Sequence, residues 1–176
     1  MKHFLAVLFV LAAYASPAAA DDAAAPHATA EGFYRVYGGF HPSDGVPDGD
    51  SLAKYRPYLS PKLELLLQQA GEAEARFTAA NKDSPPLVEG DLFSSLFEGA
   101  TSVAVGACQA VGGKAQCAVA LRHDETGEKP VAWSDTVYLV NTPQGWRVDD
   151  IGYGGTWAFG NKGRLTTVLG QVIQLQ

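Results

Sequence analysis

The chain has 176 residues and a formal net charge of −6 at pH 7, and 47% of its residues are hydrophobic. Such a chain is long and apolar enough to form one domain with its own core, without needing metals or many disulfides. The acidic balance, with no run of Lys and Arg, disfavours nucleic acids and anionic membrane surfaces as partners, because both recruit clustered cations.

Residues 1–20 are typical of a cleaved signal peptide. A short basic start precedes an apolar run over Phe4–Tyr14, and Ala18–Ala20 offers an A-x-A cleavage site ahead of Asp21. The apolar run is about half of the roughly 20 residues that a membrane-spanning helix needs. We therefore expect a periplasmic or secreted bacterial protein with no membrane span in its mature chain.

Residues 21–28 are small and acidic and contain a proline, so we expect a flexible leader ahead of a single domain over residues 29–176. The first predicted helix carries apolar residues at helical spacing and weakens at a Gly-Gly pair. Its apolar residues are Phe33, Val36, Tyr37 and Phe40. Residues 44–51 predict a loop, because they are rich in Gly, Pro and Asp.

A second helix is predicted to begin at Ser60-Pro61, where serine suits the N-cap and proline suits the first helical position. Its apolar face consists of Leu63, Leu66, Leu67, Ala70 and Phe77. A short segment begun by Asp91 places three apolar residues on one side, namely Phe93, Leu96 and Phe97.

From residue 101 onward the pattern becomes typical of strands joined by tight turns. Four strands are predicted to form an antiparallel meander, and they cover residues 103–111, 114–121, 131–141 and 146–153. Gly112-Gly113 forms the first hairpin turn, since glycine tolerates the positive φ angles that the turn needs. A short C-terminal helix is predicted from Leu165, Val168, Leu169 and Val172.

The two cysteines lie in the first predicted hairpin. Counting outward from the Gly-Gly turn pairs Cys108 with Cys117 at a position without ladder hydrogen bonds, where side chains approach most closely. In an oxidising compartment this pairing predicts a structural disulfide.

Helices followed by an antiparallel meander predict an α+β fold, with N-terminal helices packed in a curved four-stranded sheet. Neither face of the first hairpin is polar, so we expect both faces to be covered. In the last strand the apolar residues change face after Val148, which predicts a bulge near Asp149-Asp150.

Three stretches, Phe33–Tyr37, Gly90–Ser102 and Gly145–Gly155, resemble a family of small exported bacterial proteins grouped as a domain of unknown function. The resemblance covers most of the mature chain and implies the cystatin-like cone of nuclear transport factor 2. It implies a fold and a compartment but no catalytic residue. Cones of this shape host isomerases, dehydratases and binding or dimerising modules, so the fold alone does not specify an activity.

The candidate site residues are acidic and aromatic, namely Tyr34, Asp135, Asp149, Asp150, Tyr153 and Trp157. In one interpretation a buried carboxylate and a tyrosine line a cavity and act as base and oxyanion donor for proton transfer next to a carbonyl. In the other, which we favour, the carboxylates pair with arginines or backbone amides near strand ends. No Cys/His spacing or nucleotide-binding motif is present, so we expect neither a metal nor a cofactor.

A glycine-rich strand end precedes two further aromatic residues, Trp157 and Phe159. Gly152, Gly154 and Gly155 remove side-chain cover there, which can leave an apolar surface open to a partner. Alternatively, the glycines form a bulged exit that lets Trp157 fold back on the core.

These features predict a non-catalytic envelope protein that binds another protein, as an assembly accessory or an immunity-type protein. A homodimer is compatible with the sequence. The alternatives are a cone that binds a small ligand and a proton-transfer isomerase or dehydratase. A cavity above about 300 Å³ lined by a buried Asp and Tyr would favour these alternatives, whereas an exposed aromatic patch would favour a protein partner.

Overall fold

The structure, a computed structural model, describes residues 18–39 and 45–175. The helices are α1 (Ala18–Gly39), α2 (Gly49–Tyr55), α3 (Pro61–Ala80) and α4 (Leu165–Gln174), with a 3₁₀ turn at Arg56–Tyr58. The strands are β1 (Ser102–Val111), β2 (Lys114–His123), β3 (Val131–Thr142), β4 (Gly145–Tyr153) and β5 (Gly163–Arg164). Residues 1–17 of the predicted signal peptide and Phe40 of the first predicted helix lie outside the described residues. None of the described helices is both long enough and apolar enough to cross a membrane.

Helix α1 includes the predicted leader, so the expectation of a flexible segment at residues 21–28 does not agree with the structure. Alanine has the highest helix propensity, and this alanine-rich segment remains helical although it contains a proline. The helix contacts the sheet here, since His27 Nε2 lies 3.3 Å from the Val105 carbonyl oxygen. Farther along, the predicted apolar stripe is present, and Phe33 and Tyr37 are fully buried.

Helix α2 occupies part of the predicted loop at residues 44–51. The Asp48 backbone N–H donates to Ser51 Oγ at 2.9 Å and so fixes the start of the helix. Leu52 and Tyr55 are its buried residues. Seven residues are too few to show a helical period in the sequence, and a helix of this length depends on tertiary burial.

Helix α3 begins at the predicted position, where Ser60 Oγ accepts the Leu63 backbone N–H at 3.0 Å. Its buried residues are Leu63, Leu67, Ala70 and Ala73. Helix α4, also predicted, packs beside α3 and buries Leu165, Leu169 and Val172. Helix α1 lies across the sheet and contacts β1 and β4 most extensively.

The strands form one antiparallel sheet in the order β1-β2-β3-β4-β5. The predicted meander of four strands is therefore present, and the short β5 adds a fifth strand beside β4. The sheet is not closed, because β1 and β5 are separate edges. The architecture is α+β, with the helices before and after the sheet in the chain.

Two local predictions for the sheet are confirmed. Asp149 is the extra residue of a bulge in β4, because its two neighbours pair with consecutive residues of β3. Cys108 and Cys117 form a disulfide, with their Cα atoms 4.0 Å apart. The disulfide indicates an oxidising, extracytoplasmic environment.

A second bulge, in β1, was not predicted. Gly106 and Ala107 together oppose the single residue Ala118 of β2. The bulge reverses the faces toward the start of β1, so that Val103 and Val105 lie on the disulfide side of the sheet. Counting outward from the Gly112-Gly113 turn without a bulge predicts that Val103 and Val105 lie on the face opposite the disulfide, and this prediction is wrong.

One face of the β1–β2 hairpin is open to solvent, which corrects the expectation that both faces are covered. Burial alternates along β2, with Ala115, Cys117, Val119 and Leu121 buried and Gln116, Ala118, Ala120 and Arg122 exposed. Alanine exposes little apolar area, so the two outer alanines do not require cover.

Candidate functional site

A pocket of about 660 Å³ lies where three loops meet at one end of the sheet. The first loop precedes β1, the second joins β2 to β3, and the third follows β4. Their aromatic residues in the pocket are Phe97, Trp157 and Phe159. The Phe159 side chain is 90% exposed and that of Phe97 is 41% exposed, so the pocket presents apolar surface to solvent.

Acidic side chains surround this apolar surface. The carboxylates that line the pocket belong to Glu89, Glu98, Glu125 and Glu128. Lys129 and His123 also line the pocket, and His123 Nε2 lies 3.8 Å from a Glu125 carboxylate oxygen. The lining therefore carries four carboxylates against one ammonium group, which makes the pocket acidic as well as aromatic.

Asp135, a predicted site residue on β3, holds two of the pocket loops together. Its side chain is buried and accepts hydrogen bonds from the backbone N–H of Ser95 at 2.9 Å and of Gly154 at 2.8 Å. The Ser95 hydroxyl and Trp133 Nε1 donate to the same carboxylate. Because both carboxylate oxygens are occupied by donors, Asp135 acts here as a structural acceptor.

Asn161 and Ser95 connect the same two loops a second time. The Asn161 side-chain amide donates to the backbone carbonyls of Asp91 and Ser94, and its backbone N–H donates to the Ser95 carbonyl at 2.9 Å. The Gly155 backbone N–H donates to Ser95 Oγ at 2.9 Å. These bonds fix the loop that carries Trp157 and Phe159 by its backbone.

The predicted glycines permit this close approach of the loops. A Cβ atom on Gly155 would lie 2.6 Å from Ser95 Cβ, and one on Gly154 would overlap the Ser134 carbonyl oxygen. Trp157 turns back and packs edge-on against Trp133, with the ring centroids 5.2 Å apart. Trp157 therefore combines the two interpretations of this segment, because it folds back onto Trp133 and also lines the open apolar pocket.

Tyr34 is buried and Tyr153 is half-buried near Asp135, and neither lines the aromatic pocket. The Tyr153 hydroxyl donates to the Leu92 carbonyl at 2.7 Å, whereas the buried Tyr34 hydroxyl has no hydrogen-bond partner among the described residues. Burial raises the pKa of both hydroxyl groups well above the usual value, and nearby carboxylates raise it further. Both side chains are therefore neutral at physiological pH.

A second buried carboxyl group, that of Asp91, was not among the predicted site residues. Its side chain is 2% exposed, and Oδ1 accepts the Phe93 backbone N–H at 2.7 Å. Burial raises its pKa to about 6, although hydrogen bonds from Tyr37 and from backbone amides favour the charged form. The sequence contained only a weak signal for it, an acidic residue at the head of an apolar segment.

Asp149 and Asp150 lie away from the pocket and connect β4 to the helices. Asp149 Oδ1 accepts the Ser60 hydroxyl at 2.6 Å, at the start of α3. Asp150 accepts the backbone N–H and the hydroxyl of Thr166, each at 3.0 Å, in the first turn of α4. Asp150 thus accepts a backbone amide with Arg164 nearby, as the favoured interpretation expects, whereas Asp149 accepts a hydroxyl group instead.

Of the candidate site residues, Trp157 lines the pocket and Asp135 anchors two of its loops, and Phe159, predicted as part of an exposed apolar surface, lines the pocket too. Phe97 and the four glutamates were not predicted as site residues, because residues on two separate loops show no common spacing. Within residues 18–39 and 45–175 no group of three His, Cys, Asp or Glu side chains is placed to hold a metal ion.

No protein-family model matches this chain, and no curated protein matches it. Among solved structures, it is similar to the crystal structure of a protein of unknown function from Bacteroides thetaiotaomicron VPI-5482, determined at 2.10 Å resolution. The two chains are 16% identical, the match covers 76% of this chain and 90% of the other, and the TM-score is 0.34. A TM-score this low does not establish a common fold.

Proposed function

We propose that the protein is a non-catalytic, exported envelope protein that binds another protein through the pocket formed by Phe97, Trp157 and Phe159. The observation that carries this proposal is the exposure of Phe159, which is 90% exposed beside two further aromatic side chains. A contiguous exposed apolar patch is unusual on a monomeric protein and commonly marks an interaction site. Aromatic residues are also enriched in the energetically dominant part of protein interfaces.

The carboxylates support binding rather than catalysis. Asp135, Asp149 and Asp150 each accept hydrogen bonds that connect structural elements, and none of them lines the aromatic pocket. A shallower groove of about 410 Å³ includes Tyr34, but its acidic residue is Glu31 of α1 rather than a buried aspartate. Neither of these two pockets is lined by both a buried aspartate and a tyrosine, which supports binding over proton transfer.

The proposal includes the compartment and the fold type. Export to the periplasm follows from the signal-like N-terminus together with the Cys108–Cys117 disulfide. A cone of the nuclear-transport-factor-2 type is compatible with helices packed on one face of an antiparallel sheet, and the two bulges supply points at which such a sheet bends.

Site-directed photo-cross-linking tests the binding surface. A benzoylphenylalanine placed at Phe159 is expected to give a discrete adduct with a second protein in the native envelope. The matched control carries the same residue at Val111, which is 82% exposed at the other end of the β1–β2 hairpin and gives no such adduct. The purified partner is then expected to bind Phe159→Ala at least about tenfold more weakly than wild type, and Val111→Ala with unchanged affinity.

Three results would contradict the proposal. These are the absence of an adduct at Phe159, the same adducts at Phe159 and Val111, and an isolated partner whose affinity does not depend on Phe159. A dimer of this chain cross-linked through Phe159 would identify a second copy as the occupant, in place of a different protein.

A further inference from the structure

The aromatic pocket combines two chemistries that few ligands satisfy together. Its apolar surface comes from Phe97, Trp157 and Phe159, and the aromatic faces carry partial negative charge. A purely apolar ligand would contact these rings but would make no favourable interaction with the charged side chains around them.

The surrounding charge is strongly asymmetric. The four carboxylates that line the pocket belong to Glu89, Glu98, Glu125 and Glu128, and Lys129 supplies the one ammonium group. The Glu125 side chain is 61% exposed, so its carboxylate is hydrated in the free protein. A neutral apolar ligand would remove water from these carboxylates without replacing it, and an acidic ligand would be repelled.

We infer that the pocket binds a basic segment of the protein partner, in which arginine side chains alternate with apolar residues. This inference rests on the proposed function and names the chemistry of the partner. A guanidinium group stacks on an aromatic face and binds carboxylates through paired N–H donors, and it is more weakly hydrated than an ammonium group. Apolar residues next to the arginines cover the exposed ring of Phe159.

Each part of the pocket has a separate role in this recognition. The rings of Trp157 and Phe159 bind the flat face of the guanidinium and the apolar neighbours. The carboxylates of Glu125 and Glu128, on the loop between β2 and β3, bind its edge. Recognition therefore requires both charge and apolar contact, and removal of either weakens binding.

Synthetic peptides test the inference directly. The probe is a blocked peptide of alternating arginine and leucine that carries a neutral fluorophore, with binding followed by fluorescence anisotropy. The matched peptide replaces each arginine with citrulline, which has nearly the same shape but no charge. We expect the citrulline peptide to bind about tenfold or more weakly, and a lysine peptide to fall between the two.

Protein variants locate the effect in the pocket. Glu125→Gln with Glu128→Gln is expected to weaken binding of the arginine peptide about tenfold and to leave the citrulline peptide unchanged. The control, Asp50→Asn with Glu72→Gln, makes the same change in net charge on α2 and α3 and is expected to alter affinity less than about twofold. Phe159→Ala is expected to weaken the binding of both the arginine and the citrulline peptide.

The outcomes separate this inference from the proposed function. Equal affinity for the arginine and citrulline peptides would contradict the inference that the pocket binds a basic segment. So would a loss of affinity in the control variant as large as that in the Glu125→Gln, Glu128→Gln variant. Failure of the arginine peptide to bind, together with a Phe159 adduct in the envelope, also overturns it while the proposed function stands. Absence of both the peptide complex and the adduct contradicts both proposals.

Discussion

Asp91 places an ionisable group in the interior, on the same loop as Phe97, whose backbone carbonyl accepts the Asp91 N–H at 2.8 Å. Its pKa is raised to about 6, chiefly because burial disfavours the charged form. The nearby Asp135 carboxylate raises the pKa further, whereas hydrogen bonds from Tyr37 and the Phe93 backbone lower it. The charge of Asp91 therefore works against the folded state at neutral pH.

The pH dependence of stability follows from this raised pKa. Below the unfolded value of 3.8 the Asp91 carboxyl is protonated in both states, and its contribution to stability is fully present. That contribution is lost as the pH rises through about 6, at a cost of about 2 to 3 kcal/mol. Asp91→Asn keeps the acceptor for the Phe93 backbone N–H but cannot ionise. As the pH rises from about 4 to about 7, its free energy of unfolding should therefore fall less than that of wild type.

Urea unfolding of wild type and Asp91→Asn at about pH 4 and about pH 7 measures this difference. The exposed Asp83 provides the control, because Asp83→Asn should keep the wild-type pH dependence. If Asp91→Asn and wild type respond identically to pH, the Asp91 carboxyl is not the buried acid described above.

At the scale of elements, Asp150 connects the last long strand to the last helix. Its carboxylate accepts the Thr166 backbone N–H and hydroxyl in the first turn of α4, and Arg164 Nη1 lies 3.4 Å away. A carboxylate at this place satisfies an amide that has no partner within the helix and interacts favourably with the helix dipole.

Asp150→Asn is expected to lower the free energy of unfolding by about 1 to 3 kcal/mol at pH 7, because the charge-assisted bonds are weakened. Thr166→Val removes the hydroxyl partner and keeps the backbone bond, so it should cost less. Thermal melts of wild type, Asp150→Asn and Thr166→Val at pH 7 give their order of stability. An Asp150→Asn variant more stable than wild type would instead indicate a strained, functionally retained carboxylate and would count against a non-catalytic protein.

The same substitution, glycine to alanine, should change the free energy of unfolding in opposite directions at Gly154 and Gly170. A Cβ on Gly154 would overlap the Ser134 carbonyl oxygen, so Gly154→Ala should cost about 1 to 3 kcal/mol through displacement of the loop. Gly170 lies inside α4 with open space around it, so Gly170→Ala should stabilise by about 0.5 to 1 kcal/mol. Equal effects in denaturant unfolding would show that the loop is not closely packed at Gly154.

The sequence predicted those elements whose signals are local. The disulfide followed from one hairpin turn, and the bulge at Asp149 followed from a change of face within one strand. Helix α2 was missed because its formation depends on burial of Leu52 and Tyr55 by distant parts of the chain. The β1 bulge was missed because its alanines and glycine give no periodic signal at all.

At the scale of the whole molecule, the proposed export and the disulfide can be tested on the same protein sample. We expect protein isolated from the periplasm to begin at Asp21 and to contain the Cys108–Cys117 disulfide. Intact-mass measurement should show the loss of residues 1–20, and iodoacetamide should add nothing to the denatured protein until it is reduced. A retained N-terminus, or two adducts before reduction, would contradict the export and the pairing respectively.

The candidate site is also a property of the whole molecule, which explains how little of it was predicted. Asp135 was identified as a candidate, but its role depends on Ser95 and Gly154, which are 40 and 19 residues away. The carboxylates of the pocket come from loops whose sequences show only ordinary surface charge. Their juxtaposition depends on how the loops are anchored, and a one-dimensional pattern does not encode that anchoring.

The residues that anchor the pocket loops differ from the residues that the pocket presents to solvent. Asp135, Ser95 and Asn161 hold the loops through backbone amides and carbonyls, whereas Phe97 and Phe159 project from them without taking part in those bonds. The Phe159 side chain, which is 90% exposed, can therefore change without loss of these anchoring bonds. Descendants of this chain could acquire new partners by substitution at the pocket surface alone, in the way that antibody loops diversify on a constant framework.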